Sequence, residues 1–192
     1  MEVKRKMTVD TEMFELGDVI SFKLTTGEKV QARAVRETPE GMLFMTVDCL
    51  KDEQPMFKDI EDMEDEDFSY DNSDLRKVLN GAILDSFPAE IKDRMKVVHG
   101  DNDLIRIPSE KEIFGENEYG QDEGKVKQFK GMKNRRNRIA WQGSKTGKFE
   151  WYWLMNRRKE HASSFAGVGG DGYAYSDYAS YSIGVRPVFL LS

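Results

Sequence analysis

Residues 183–191 decide the predicted fold, and they read Ile183-Gly184-Val185-Arg186-Pro187-Val188-Phe189-Leu190-Leu191. This largely apolar run predicts the strand that closes the domain. Alternation along a strand places Val185 and Pro187 on one face and Arg186 on the other. We expect the Arg186 guanidinium to bind loop carbonyls or a carboxylate, because its planar fork suits such acceptors; contact with a ligand is the alternative.

A second strand is predicted upstream, at Trp151-Tyr152-Trp153-Leu154. Side chains two residues apart in a strand share a face, so Trp151 and Trp153 are expected on the same side. We expect at least one of these two indoles to be buried, either against Val188 or against the main helix.

That main helix is predicted to begin at Ser73, whose side chain can cap the first turn. Leu75 and Leu79 fall at helical spacing on its buried side. Pro88 is expected to start a second short helix, and Ser109 to cap a third helical turn.

Earlier in the chain, residues 14–50 predict a three-stranded antiparallel meander. Thr26-Gly27-Glu28 is typical of a hairpin turn, and the apolar run 42–47 predicts a central strand. We therefore expect an N-terminal tail over residues 1–13 and a single domain over residues 14–192.

The composition indicates a globular protein, with 39% hydrophobic and 33% charged residues. No apolar run approaches the roughly 20 residues that cross a bilayer, and none follows the charged start Met1–Lys6. We therefore expect no membrane insertion, no signal peptide and synthesis in the cytoplasm. The lone Cys49 fits that reducing compartment, because a single thiol forms no internal disulfide.

Charge is segregated along the chain. Residues 52–74 hold 11 acidic residues and one Lys, whereas residues 125–159 hold 12 basic residues and one Glu. The acidic part, over residues 52–67, is predicted to be an exposed loop. Two interpretations stay open: solvated faces that attract each other, or a basic stretch that docks an acidic partner. No nucleic-acid motif frames the basic stretch, so we do not expect nucleic acid as a partner.

Four motifs together resemble an uncharacterised bacterial and phage domain, and the resemblance spans about residues 14–192. They are Tyr70-x-x-Ser73-x-Leu75-Arg76-x-x-Leu79-Asn80, Ile107-Pro108-Ser109-x-x-Glu112, Trp151-Tyr152-Trp153-Leu154 and Gly184-Val185-Arg186-Pro187-Val188-Phe189. That domain is distantly similar to the C-type-lectin-like and formylglycine-generating-enzyme fold. The resemblance implies an α+β, C-type-lectin-like fold with a small twisted antiparallel sheet, two main helices and long loops that present a binding surface.

Residues 163–183 read SSFAGVGGDGYAYSDYASYSI. This composition resembles the variable region of proteins diversified by diversity-generating retroelements, which lies just before the last strand of a C-type-lectin-like domain. The resemblance implies a variable binding segment over residues 156–183. The candidate ligand-binding residues are Asn156, Ser163, Ser164, Asp171, Tyr173, Tyr175, Asp177, Tyr178, Tyr181 and Ile183.

The physical chemistry of this segment also favours binding. Tyr offers a large amphipathic surface at low conformational cost, and Ser, Gly and Asp add adaptable hydrogen bonds. We therefore expect a ligand-recognition module whose ligand is a protein or a cell-surface molecule; oligomeric state and association with a virion stay open. One alternative is that the tyrosines only pack a sheet edge. Another is that the chain is a structural or assembly protein that docks an acidic partner through residues 125–159.

We expect no catalytic residue, no metal and no cofactor. Formylglycine-generating enzymes need a cysteine pair, and this chain has Cys49 alone. The related iron-dependent sulfoxide synthases need three histidines, and only His99 and His161 are present. The calcium-lectin motif Gln-Pro-Asp is absent as well, because Gln54-Pro55 is followed by Met56.

Overall fold

A computed structural model describes residues 14–143 and 147–192 of the chain. The predicted tail over residues 1–13 lies outside the described residues. The architecture is mixed α and β, with mostly antiparallel sheet, few helices and a main sheet curled into a half-barrel. The strands, in chain order, are β1 (Val19–Lys23), β2 (Lys29–Thr38), β3 (Gly41–Thr46), β4 (Met95–Lys96), β5 (Ile105–Arg106), β6 (Ala140–Trp141), β7 (Phe149–Glu150), β8 (Tyr152–Arg157), β9 (Ser164–Val168), β10 (Ala174–Tyr178) and β11 (Val188–Leu191).

The helices are all short. They are α1 (Asp74–Val78), α2 (Leu84–Ser86), α3 (Ala89–Lys92), α4 (Glu110–Phe114) and α5 (Arg135–Arg138), with a π-helical turn at Leu79–Ile83 and a 3-10 turn at Asp65–Asp67. Over residues 14–143 and 147–192, no helix has the length and apolarity needed to cross a membrane.

The main sheet confirms the predicted N-terminal meander. Its strands run in the order β1–β2–β3–β11–β4, all antiparallel, and β5 also pairs with β11. The predicted central strand, β3, lies between β2 and β11, with Phe44 opposite Phe189. These two rings stack at a centroid distance of 6.0 Å, at the centre of the larger of two core clusters.

The helical segments begin where the caps predict. The Ser73 side chain accepts a hydrogen bond from the backbone N–H of Arg76, and Leu75 and Leu79 are buried below it. Ser109 forms a complete capping box with Glu112, in which each side chain accepts from the other residue's backbone N–H. The main helix is less regular than predicted, because Gly81, at φ −114° and ψ −106°, kinks it within the π-helical turn.

A second sheet contains the predicted aromatic strand as β8 and adds two strands, β9 and β10, within the predicted binding segment. It has three antiparallel strands in the order β10–β9–β8. Every residue of β9 is buried, so its sequence lacks the alternation that marks a half-exposed strand. A Cβ on Gly167 would lie 3.0 Å from the Tyr152 carbonyl oxygen, which shows how closely β9 and β8 approach.

The predicted closing strand is shorter than expected, because only Val188–Leu191 pairs as a strand. Ile183 and Gly184 instead form single bridges to Gln54 and Tyr152, and so connect the two sheets. A Cβ on Gly184 would lie 2.5 Å from the Glu150 Cγ and 2.7 Å from the Cys49 Sγ. The close approach of these segments therefore requires glycine at this position.

The expected structural role of Arg186 is confirmed. Its side chain is 2% exposed, and both Nε and Nη2 donate to the Thr46 carbonyl oxygen, at 3.1 and 2.9 Å. Nη1 donates to the Tyr152 hydroxyl at 2.9 Å, and the guanidinium carbon lies 4.9 Å from the centre of that ring. Arg186 thereby ties the end of β3 to β8.

Candidate ligand-binding surface

Six aromatic side chains follow one another across the molecular surface beside the β8–β9–β10 sheet. Three ring pairs are in direct contact, at centroid distances of 4.3 Å for Trp141–Phe149, 4.4 Å for Trp151–Tyr175 and 5.7 Å for Tyr178–Tyr181. We call this group the aromatic surface; it consists of Trp141, Phe149, Trp151, Tyr175, Tyr178 and Tyr181.

These pairs lie near one another. Gly170, in the turn between β9 and β10, lies against both Phe149 and Trp151, since a Cβ there would be 3.1 Å from the Trp151 indole and 3.6 Å from the Phe149 Cβ. Tyr175 lies near Tyr181, and its pKa is raised by partial burial first, then by the neighbouring Asp177 carboxylate and by Tyr181. The six rings therefore form three contacting pairs that lie close together, with Gly170 beside two of the pairs.

Much of the aromatic surface is open to solvent. Phe149 is 51% exposed, Trp151 42%, and Tyr178 and Tyr181 54% each. Tyr175 and Trp141 are half-buried. Exposed aromatic groups of this extent are uncommon on a monomer unless they bind something.

The two tryptophans of the predicted aromatic strand have different environments. Trp153 is fully buried in the core cluster that contains Leu75 and Leu79, and its Nε1 donates to the Gln54 carbonyl oxygen at 2.8 Å. This confirms the expected burial of at least one indole. Trp151 precedes β8 and contacts Tyr175, so it belongs to the aromatic surface instead. The expectation that the two indoles share a side of one strand was therefore wrong, because the strand begins after Trp151.

A buried carboxyl group lies under the aromatic surface, between Phe149 and Trp151 in sequence. Glu150 is 4% exposed; its Oε1 accepts from the Trp151 backbone N–H at 2.9 Å, while its Oε2 has no hydrogen-bond partner among the described residues. Burial, followed by the neighbouring Glu53 carboxyl, raises the pKa of Glu150 to about 7. Lys148 lies 3.3 Å from Glu53 and 3.9 Å from Glu150.

The predicted site residues divide into three groups by exposure. Asp171, Tyr173, Tyr178 and Tyr181 are exposed; Ser163, Tyr175 and Asp177 are half-buried; Asn156, Ser164 and Ile183 are buried. Tyr175, Tyr178 and Tyr181 lie within the aromatic surface. Asp177 lies beside it, and its Oδ1 accepts from the Tyr178 backbone N–H at 2.8 Å.

The three buried residues hold the scaffold together. Asn156 Oδ1 accepts from the Glu110 backbone N–H at 2.7 Å, which fixes β8 to the start of α4. Ser164 lies in β9 opposite Tyr178, and Ile183 belongs to the larger core cluster. The structure does not bring these side chains to the aromatic surface.

Tyr173 and Asp171 belong to the turn that precedes β10. The Asp171 carboxylate accepts from the Tyr173 backbone N–H at 3.1 Å, and the Arg135 guanidinium lies 5.1 Å from the centre of the Tyr173 ring. Tyr173 thus packs against α5 rather than against the other three tyrosines. Ser163, in the turn before β9, accepts from the Ala179 backbone N–H through its carbonyl at 2.8 Å.

The basic residues of the stretch 125–159 do not lie together on one face of the molecule. Arg157 donates to the Asp65 carbonyl and Lys148 pairs with Glu53, so two of its cations lie against the acidic segment. Arg138 instead donates to the Gly172 carbonyl at 2.9 Å. The acidic segment is mostly an exposed loop, as predicted, although Met56 and Phe57 anchor it in the core.

Sequence reasoning missed half of the aromatic surface, namely Trp141, Phe149 and Trp151. One signal was present, because in Phe149-Glu150-Trp151 two aromatic residues flank one acid at strand spacing. In the structure the two aromatic side chains are exposed and the acid between them is buried.

A family model described as a domain of unknown function, DUF6273, matches residues 42–192. The chain belongs to this family. The DUF6273 match begins within β3 and includes every residue of the aromatic surface, whereas β1 and β2 precede it. No curated protein and no solved structure matches the chain. The description of DUF6273 names no activity, so function has to be argued from the surface itself.

Proposed function

We propose that this chain is a ligand-recognition module that contacts a protein or cell-surface ligand through its aromatic surface. The observation that carries the proposal is the group of three contacting aromatic pairs, in which four of the six rings are more than two-fifths exposed. Aromatic residues supply most hot spots of protein interfaces, because each buries a large area and loses little conformational freedom.

The support beneath the rings favours the same function. Tyr175 and Tyr178 lie on β10, which pairs along its whole length with the fully buried strand β9. The scaffold therefore holds the rings in place before a ligand arrives, which lowers the entropic cost of binding. Ser176 and Asp177 on the same strand add polar groups beside the rings.

We further propose that the domain is C-type-lectin-like and that residues 163–183 are retroelement-diversified. Support comes from the position of Tyr175, Asp177, Tyr178 and Tyr181, which are grouped on and just after one edge strand over a buried scaffold. A reverse transcriptase gene beside the coding sequence, with an imperfect repeat of its 3′ end, is expected. Absence of both from the locus would remove the diversification proposal and leave the recognition proposal intact.

A selection experiment tests recognition while the natural ligand is still unidentified. A displayed peptide library is selected on the wild-type chain, and each enriched peptide is then measured against the Tyr178→Ser, Tyr181→Ser double variant. We expect affinity to fall at least about tenfold, since an aromatic hot spot contributes about 2 kcal/mol or more.

The matched control removes exposed apolar side chains elsewhere. Leu16 is 45% exposed and Val97 46% exposed, and neither belongs to the aromatic surface. The Leu16→Ser, Val97→Ser variant should bind the selected peptides as the wild type does. Equal losses in both variants, or peptides that do not distinguish the tyrosine variant from the wild type, would refute the proposed function.

A further inference from the structure

We propose that Arg33, Arg136 and Arg186 form a binding site for a phosphate-type oxyanion, separate from the aromatic surface. The three side chains line one surface depression of about 80 Å³, whose remaining wall includes Val35, Met45 and Met132. They come from three different elements: β2, α5 and the segment before β11. Three arginines thus line one small, partly apolar space.

The buried member of this site lacks a counterion. Arg186 is 2% exposed, yet no carboxylate in residues 14–143 or 147–192 lies within 4.0 Å of its guanidinium. A buried charge is costly unless it is paired, and backbone carbonyls together with the Tyr152 ring only partly replace an ion pair. An anion bound beside Arg186 would provide the missing charge.

Arg186 also keeps donor capacity. A guanidinium carries five N–H groups. The Thr46 carbonyl accepts from Nε and Nη2, and the Tyr152 hydroxyl accepts from Nη1. The remaining contacts of Nη1, to the Asn137 and Arg138 carbonyls, are 3.5 Å long and exceed the usual range of about 2.7–3.2 Å. The second N–H of Nη2 has no acceptor among the described residues.

Arg33 and Arg136 complete the positive lining. Arg33 is half-buried and Arg136 is exposed, and neither guanidinium forms an ion pair with a described residue. Like charges repel more strongly beside apolar walls, because these lower the local dielectric constant. A doubly charged anion in the depression would offset the positive charge of the three arginines that line it.

The size and the donors favour a tetrahedral oxyanion. One water needs about 10–15 Å³ of such space, so 80 Å³ admits a group of several heavy atoms. Guanidinium forks match phosphate oxygens in bidentate geometry, and three arginines from three elements offer more donors than a planar carboxylate can accept.

The test is a titration of the full chain with inorganic phosphate at constant ionic strength, followed by isothermal calorimetry and by the melting temperature. We expect saturable binding at one site, with a melting temperature that rises as phosphate is added. In the Arg33→Gln, Arg136→Gln variant, affinity should fall at least about tenfold, because two charged hydrogen-bond donors are lost. Lys133→Gln, an exposed cation that does not line the depression, is the matched control and should titrate as the wild type does.

Further arms identify the anion. If glycerol 3-phosphate binds at least as tightly as phosphate, the natural ligand is a phosphate group carried on a larger molecule. If glycerol 3-phosphate binds much more weakly, the natural ligand is the free ion. Acetate that binds as well as phosphate would overturn the tetrahedral assignment. A phosphate response no greater than that of sodium chloride, or an Arg33→Gln, Arg136→Gln variant that binds as tightly as the wild type, would overturn the site.

Discussion

The ring centre of Trp151 lies 4.4 Å from the ring centre of Tyr175, although β9 separates β10, which carries Tyr175, from β8, which Trp151 immediately precedes. The indole reaches across at the end of β9, where Gly170 leaves room for it. The aromatic surface is therefore assembled from three segments of the chain, and its parts contribute differently to stability and to binding.

The two tryptophans should separate these contributions. Trp153→Ala removes a fully buried indole and its hydrogen bond to Gln54, so we expect a loss of about 3–5 kcal/mol in the free energy of unfolding. Trp151→Ala removes an indole that is 42% exposed and should cost about 1 kcal/mol or less. Urea denaturation of both variants measures the difference; an unchanged midpoint for Trp153→Ala would refute this packing.

The tyrosines and the helix leucines should also differ in stability. Tyr178→Ser with Tyr181→Ser should change the free energy of unfolding by only about 0.5 kcal/mol, because both side chains are more than half exposed. Leu79→Ala, in the core, should cost about 2–5 kcal/mol. If the tyrosine variant failed to fold, these rings would be part of the core, and they could not serve as a recognition surface.

Arg186→Lys tests the tie between β3 and β8. An ammonium cannot reproduce the two bonds from Nε and Nη2 to the Thr46 carbonyl together with the bond to the Tyr152 hydroxyl. We expect a loss of about 1–3 kcal/mol, measured by thermal and urea unfolding. Full stability of the lysine variant, combined with altered ligand binding, would show that the main role of Arg186 is ligand contact.

A buried ion pair predicts sensitivity to acid. Arg106 donates twice to the Glu112 carboxylate, at 2.7 Å each, and Arg36 donates once at 2.9 Å. Burial alone raises the pKa of Glu112, but Arg106, the Ser109 backbone N–H and Arg36 outweigh it, so the pKa is lowered from 4.5. The folded state thus favours the carboxylate, and its contribution is full above pH 4.5 and is lost as the pH falls.

Glu112→Gln should lose that contribution at neutral pH. We expect a cost of about 3–5 kcal/mol at pH 7, because Arg106 stays buried without its counterion, and a smaller difference from the wild type at pH 3. Stability curves for both proteins from pH 3 to 7 provide the measurement. Parallel curves over that range would contradict the role given to Glu112.

Glu150 predicts the opposite pH dependence. Its pKa is raised from 4.5 to about 7, so the folded protein holds this proton more tightly than the unfolded chain does. Ionisation therefore opposes folding, and stability falls as the pH rises from about 4.5 to 7. Glu150→Gln removes the titration and should be more stable than the wild type by about 1 kcal/mol at pH 8, after allowance for solvent screening at the partly exposed Glu53. Chemical denaturation of both proteins at pH 5 and pH 8 measures the difference. An equal change in the free energy of unfolding between the two pH values for both proteins would exclude the effect.

Local signals explain which elements were predictable. The Ser73 and Ser109 caps and the Gly27 turn act within a few residues, and the structure confirms the elements that they begin or end. Strand β9 was missed because burial on both faces removes alternation, and its small residues, Ala166 and Gly167, have weak strand preference.

The candidate site was only partly predictable for a related reason. Composition indicates that the tyrosines of residues 163–183 are surface residues, and this was correct for Tyr173, Tyr178 and Tyr181. The burial of Asn156 depends on its contact with Glu110. The exposure of Trp151 depends on the turn at Gly170. Such long-range contacts leave no pattern in the sequence around Asn156 or around Trp151.

The close packing at Gly184 has a consequence for the chemistry of Cys49. That thiol is the chain's sole cysteine, it is 3% exposed beneath Gly184, and burial raises its pKa. A thiol reagent can therefore reach the sulfur only when the packing around Cys49 and Gly184 opens locally. The rate at which this thiol is alkylated would then measure how often the packing around it opens.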